Sequence, residues 1–181
     1  MKKKLFGFIY FKLLGWKFNF TVPIEDKCVI CVAPHTSNWD LFVGKLLWGA
    51  LGRDASFLMK KDWFFFPLGI VFRWMGGIPV DRKKKTALTE QLAVLFKLRN
   101  QLCLAVTPEG TRKANPNWKK GFYYIALNAQ VPVMLFGLDY SRKIIECTKS
   151  FIPTGDYDKD IIEIKQYFQN YKGKHPENFT I

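Results

Sequence analysis

The sequence predicts an α/β fold: one domain built on a mixed, mostly parallel sheet flanked by helices. Three observations support this. Short apolar runs of strand length alternate with amphipathic helical patterns along 181 residues. No linker, repeat or low-complexity segment divides the chain, and its length suits a single domain across residues 1–181. Polar and charged residues follow several of the apolar runs, which is where open α/β sheets place their ligands.

In order along the chain, strands are predicted at Cys28–Ala33, Ala55–Met59, Ile78–Val80, Leu102–Thr107 and Pro132–Leu138. Helices are predicted at Asp40–Leu51, Leu68–Trp74, Thr86–Arg99 and Lys120–Asn128. The pattern is clearest in Thr86–Arg99, where Leu88, Leu92, Leu95 and Phe96 share one helical face. Lys143–Phe151 reads as an added edge strand and Asp158–Tyr171 as a closing helix.

Residues 1–20, MKKKLFGFIYFKLLGWKFNF, hold five lysines and no acid. They have the basic start and apolar body of a signal peptide but no small-residue cleavage site. Lys12 and Lys17 also interrupt the stretch, leaving it short of the roughly 20 apolar residues of a spanning helix. Lysines among Phe, Tyr and Trp suit a segment lying in the headgroup layer of an anionic membrane. The alternative is a helix packed on the domain's own core.

The hydrophobic fraction of 49% and the aromatic fraction of 17% exclude a disordered chain. A formal net charge of +13 predicts an anionic partner: nucleic acid, an acidic membrane, or an acidic carrier or substrate. There is no helix-turn-helix, zinc finger or RNP-type pattern, so nucleic acid is not the expected partner. Cys28 and Cys31 have C-x-x-C spacing, but residues three apart on a strand face opposite sides, so reduced, buried thiols in a cytosolic setting are expected and no metal site.

Four strand ends carry the candidate chemistry, the second of them with Lys60 and Lys61. After the first, APHTSNWD places His35 five residues before Asp40. On one regular helix that spacing leaves side chains about 140° apart, so the pair meets only if His35 sits in a loop ahead of the helix. Thr36, Ser37 and Asn38 are good N-caps and Pro34 ends the strand, which fits that geometry. Asp40 then orients one imidazole nitrogen and leaves the other as a base. Alternatively, Asp40 merely complements a helix N-terminus and His35 is a surface residue. After another strand, GGIPVDR sets Arg82 where its guanidinium suits a phosphate or carboxylate, with Asp81 beside it. In TPEGTR, Pro108 and Gly110 bend the backbone and are expected to expose Glu109 and Arg112 side by side, to bind a ligand or simply to pair with each other.

There is no G-x-S-x-G elbow, P-loop, G-x-G-x-x-G or metal cluster. A base without an enzyme nucleophile points to direct attack by a substrate hydroxyl on an activated acyl group. A non-catalytic basic module that binds lipid headgroups or nucleic acid would explain the charge and aromatics, but not the polar groups after successive strands.

Four ordered blocks, His35 to Asp40, Gly77 to Arg82, Pro108 to Arg112 and Val131 to Val133, resemble the signature of the glycerolipid acyltransferase family that includes lysophosphatidate acyltransferases. The resemblance spans about Val29 to Leu138 and implies a glycerol-3-phosphate acyltransferase-like fold. It implies His35 as general base, Asp40 as its orienting partner, and Arg82, Glu109, Gly110, Thr111 and Arg112 as the acceptor-binding set, with Lys60 and Lys61 assisting at phosphate. It further implies acyl transfer from acyl-CoA or acyl carrier protein to a lysophospholipid hydroxyl, without metal, cofactor or covalent enzyme intermediate, at the cytoplasmic face of the cell membrane. The chain departs from the pattern at Pro34, where many relatives carry asparagine or another polar residue, and in being shorter than typical members. A lyso-aminolipid or other hydroxylated amphiphile therefore stands as an alternative acceptor.

Overall fold

The computed structural model describes residues 2–80 and 85–181, apart from the side chains of residues 85–87. Seven strands form one sheet in the order β1-β7-β6-β2-β5-β3-β4. They are β1 (Lys17–Phe20), β2 (Lys27–Ala33), β3 (Ser56–Lys60), β4 (Gly77–Val80), β5 (Leu102–Val106), β6 (Val133–Asp139) and β7 (Ile144–Phe151). The five strands from β6 to β4 run parallel. Among the described residues only the β6–β7 pairing is antiparallel.

Helices join the parallel strands: α2 (Trp39–Leu51) after β2, α3 (Leu68–Trp74) after β3, α4 (Lys85–Leu98) after β4 and α5 (Gly121–Ala129) after β5. The chain adds α1 (Lys2–Gly7) before the sheet and α6 (Tyr157–Phe168) after it. Two apolar cores follow from the alternation of strand side chains. Val29, Cys31, Leu104 and Leu135 pack with Phe96 of α4, Phe122 of α5 and Phe168 of α6. On the other face Cys28, Ile30, Met134 and Phe136 pack with Leu47 and Trp48 of α2. Cys28 and Cys31 thus lie in different cores, and all four cysteines are free and buried.

Two sequence expectations are corrected. Lys143–Phe151 was expected at an edge, yet β7 is covered by β1, which pairs Lys17 with Ile144 and Phe20 with Cys147. Residues 1–20 are not one surface helix: α1 continues as a wider π-helical turn over Phe8–Leu13 and then becomes the edge strand β1. Part of this segment belongs to the core. Tyr10 and Trp16 are buried, and the Tyr10 hydroxyl donates to the Lys17 carbonyl at 2.9 Å. Gly49 of α2 permits this docking, because a Cβ there would lie 2.6 Å from the Phe6 ring. Leu5, Phe8 and Leu13 remain exposed.

After α6 the chain returns across the carboxyl ends of the strands. Tyr171 lies over Gly137 of β6, where any Cβ would enter its ring. The Lys172 carbonyl accepts from the Tyr140 N–H at 2.8 Å. Gly137→Ala is expected to lift this return segment and to lower stability by about 1–3 kcal/mol, an overpacking effect measurable by urea denaturation.

Candidate active site

Because β2, β5, β6, β3 and β4 are parallel, their carboxyl ends share one rim. His35 lies beyond β2, Glu109 beyond β5 and Tyr140 beyond β6, on three neighbouring strands. The backbone between β2 and α2 makes a tight loop. Its Thr36 and Ser37 N–H groups both donate to Asp40 Oδ2, at 3.0 and 2.9 Å. Capping is shared: Asn38 occupies the N-cap without a side-chain capping bond, Ser37 Oγ accepts the Trp39 N–H at 3.2 Å, and a carboxylate from the first turn of α2 satisfies the loop N–H groups.

His35 Nδ1 lies 2.9 Å from the same Asp40 Oδ2. The other carboxylate oxygen, Oδ1, accepts from the Tyr140 hydroxyl at 2.7 Å. Asp40 is buried, and His35 is partly open with 22% of its side chain accessible. Since Oδ2 already accepts two N–H bonds, the shared proton sits on Nδ1, leaving the Nε2 lone pair unprotonated in the neutral imidazole. Burial, then the bond to Asp40, pushes the Tyr140 hydroxyl pKa well above its ordinary value. It therefore acts as a donor that holds Asp40 in place.

Glu109 departs from its expected exposure. It is 1% exposed, and its Oε1 accepts the His35 backbone N–H at 2.9 Å. Oε2 is buried with no partner among the described residues. Burial pushes this carboxyl up to about 7, opposed by the His35 N–H bond and the His35 charge and reinforced by Asp40. Arg112 is exposed and turns the other way, its Nη1 donating to Asn38 Oδ1. No ion pair joins Glu109 to Arg112 among the described residues. Gly110, at φ +66°, supplies the left-handed turn between them, and a Cβ there would lie 2.9 Å from Lys119. Thr111 Oγ1 accepts from the Lys113 N–H at 3.3 Å.

The remaining candidates divide. Lys60 ends β3 on the same rim and pairs with Asp62; Lys61 lines a separate recess of about 350 Å³ with Phe64 and Arg73. Asp81 and Arg82 lie outside the described residues.

Two features escaped sequence reasoning. Tyr140 follows a predicted strand, so the strand-end rule alone would have nominated it. His175 gave no such signal, because it reaches the site through the C-terminal return. Its backbone N–H donates to Thr36 Oγ1 at 3.1 Å, and the residue lines a shallow depression of about 400 Å³ with Thr36, Ser37, Asn38 and Arg112. Gly173 makes that approach possible, since a Cβ there would come within 2.6 Å of Thr36 Oγ1.

The family model described as Acyltransferase matches residues 19–136, more than half of the chain. The chain belongs to the acyltransferase family. Among curated relatives, it is 26% identical over 141 residues to a 1-acyl-sn-glycerol-3-phosphate acyltransferase of Cocos nucifera, covering 72% of this chain and 45% of that protein. It is 27% identical over 145 residues to the human 1-acyl-sn-glycerol-3-phosphate acyltransferase beta, covering 77% of this chain and 51% of that protein. For the Streptococcus pneumoniae 1-acyl-sn-glycerol-3-phosphate acyltransferase the identity is 28% over 114 residues, covering 62% and 42%. This acyltransferase-family chain thus spans about half the length of the curated relatives it matches. Its fold is similar to the crystal structure of the 1-acyl-sn-glycerophosphate acyltransferase PlsC from Thermotoga maritima, with a TM-score of 0.63 at 18% identity over 92% of this chain and 75% of the other.

The Glu109 geometry carries a pH dependence. Its native carboxyl keeps its proton between about 4.5 and about 7, where the unfolded chain releases it, so it stabilises the fold below that window and the contribution fades as pH rises through it. Glu109→Gln, which preserves the acceptor for His35 N–H, is expected to abolish a loss of stability on the order of 3 kcal/mol across that window, measured by urea denaturation at each pH.

Proposed function

We propose that the protein is an O-acyltransferase that moves a fatty acyl group from acyl-CoA or acyl carrier protein to the free hydroxyl of a lysophospholipid, with 1-acylglycerol-3-phosphate the acceptor favoured by the names of its relatives. The observation that carries this reading is the imidazole of His35, held at Nδ1 by a buried carboxylate and partly open to solvent. Family membership supports the reaction class.

In the proposed step, Nε2 takes the proton of the acceptor hydroxyl as its oxygen attacks the thioester carbonyl. A tetrahedral intermediate forms and collapses, the carbon–sulfur bond breaks, and the leaving thiolate takes the proton back from the imidazolium. One ester and one thiol result. Asp40 stabilises the imidazolium that forms between the two transfers, and Tyr140 with the two loop N–H groups keeps Asp40 from turning away. Neither a resident cofactor nor a covalent enzyme intermediate enters the step. Glu109 acts on the base rather than on the ligand, by fixing the His35 backbone.

Arg112 and Arg82 are assigned to the acceptor's phosphate, with Lys60 on the rim and Lys61 in its separate recess adding positive potential. The anionic substrate, an acidic donor carrier and an anionic membrane surface all complement a net charge of +13. No helix among the described residues is long and apolar enough to cross a membrane. A peripheral position at the cytoplasmic face, approached partly through the exposed apolar side chains of the N-terminal segment, completes the proposal. The acceptor test is lipid mass spectrometry of cells lacking the protein: accumulated lysophosphatidate supports the reading, and a different accumulated lyso-species reassigns the acceptor.

His35→Ala is expected to cost about 10² to 10⁴ in the rate of acyl transfer by folded, purified protein, and a wild-type rate would remove His35 from the role of base. Arg112→Ala and Arg82→Ala are each expected to raise the acceptor KM through loss of a charge-assisted contact of about 1.5–3 kcal/mol, read from rate against acceptor concentration.

A further inference from the structure

The proposed reaction needs a lipid acceptor to leave a bilayer near the rim, and a second exposed apolar surface stands there. It lies in the segment between β3 and β4. Within residues 63–74, Trp63, Phe65, Phe66, Ile70, Val71 and Trp74 are all exposed, with Phe66 at 83% and Trp74 at 75%. A soluble surface scatters large apolar side chains singly, and here six fall within twelve residues.

The display is held in place. Helix α3 puts Gly69 against the Phe64 backbone so closely that a Cβ would lie 2.6 Å from the Phe64 carbonyl oxygen. Phe72, on the half-buried side, meets the Phe64 ring at 6.1 Å. Ile70 and Trp74, four residues apart, therefore share the face that the domain leaves uncovered.

Charge identifies the occupant. Lys60 and Lys61 precede the apolar cluster and Arg73 lies within it. Lys2 of α1 places its ammonium 5.9 Å from the Trp74 ring, which brings the basic N-terminus, with exposed Leu5 and Phe8, beside the cluster. Aromatic and aliphatic side chains rimmed by lysine and arginine match the interfacial layer of an anionic bilayer. A second copy of this chain would bring another net charge of +13 against the same face.

We propose that the Trp63–Trp74 segment is a wedge that inserts into the headgroup region of an anionic phospholipid bilayer, with Phe66 and Trp74 leading. This rests on the reading of the protein as a lipid acyltransferase working at a membrane. The wedge follows the carboxyl end of β3, parallel to β2 through β5, so insertion turns the His35 rim toward the lipid. It acts together with the N-terminal helix.

The test is co-sedimentation of the full chain with phosphatidylcholine–phosphatidylglycerol vesicles. Phe66→Ser/Trp74→Ser is expected to weaken vesicle partitioning by about tenfold or more, while acyl transfer to a short-chain, monomerically soluble acceptor stays near wild type. Trp74→Phe is expected to retain binding but lose part of the fluorescence quenching by brominated lipid. If the double variant does not fold, Phe66→Ser alone decides, since that side chain packs on little of the domain. Wild-type partitioning by the double variant, or loss of binding only with Leu5→Ser/Phe8→Ser, overturns the wedge and leaves the acyltransferase reading intact. A wild-type dimer that the double variant dissociates also overturns it, by assigning the face to a second copy. Absence of acyl transfer by the wild type would sink the functional reading, and vesicle binding lost on Phe66→Ser/Trp74→Ser would still support the wedge.

Discussion

The carboxylate of Asp40 is the point on which the rim is organised. It is buried at the start of α2 and accepts from His35, Thr36, Ser37 and Tyr140. Such a group carries a large desolvation cost unless its lone pairs are engaged, and here four donors from two strand ends engage them. The arrangement fixes the loop after β2, the imidazole it carries and the approach of the loop after β6. Removing the carboxylate would leave several buried donors without an acceptor, so the geometry of the imidazole and the packing of the rim cannot be separated.

Other parts of the chain reinforce that centre from outside. Glu109 ties the His35 backbone to the end of β5. The Tyr140 ring packs edge-on to buried Trp16 at 4.9 Å, so the N-terminal segment reaches the network through one aromatic contact. From the other side, the C-terminal return binds Tyr140 through Lys172 and Thr36 through His175. Both terminal segments converge on the loops flanking Asp40. Residues beyond the range of the family match thus help to hold His35 and Asp40.

Surface chemistry divides the molecule. Around the rim, cationic side chains sit beside exposed aromatics, whereas the sheet behind it is closed on both faces by apolar cores. A basic, aromatic rim joined to a dry scaffold suits the proposed reaction, in which a charged headgroup is held while an apolar chain stays in lipid.

Much of this was legible in the residues. Strand-length apolar runs and the spacing of Leu92 and Phe96 determined the α/β alternation, because a buried strand and an amphipathic helix have different periods. The same reading placed His35 in a loop ahead of a helix carrying Asp40, since no regular helix lets them meet. Only tertiary structure decided the rest. Lys17–Phe20 became an edge strand because β7 offered it a backbone ladder, a partner more than 120 residues away that no local pattern records. Glu109 was buried rather than displayed because the His35 N–H required an acceptor, and Tyr140 and His175 joined the site because the sheet order and the C-terminal return brought them there. Local periodicity fixes which face of an element is apolar; which distant polar group completes a buried hydrogen bond is settled only when the strands take their order.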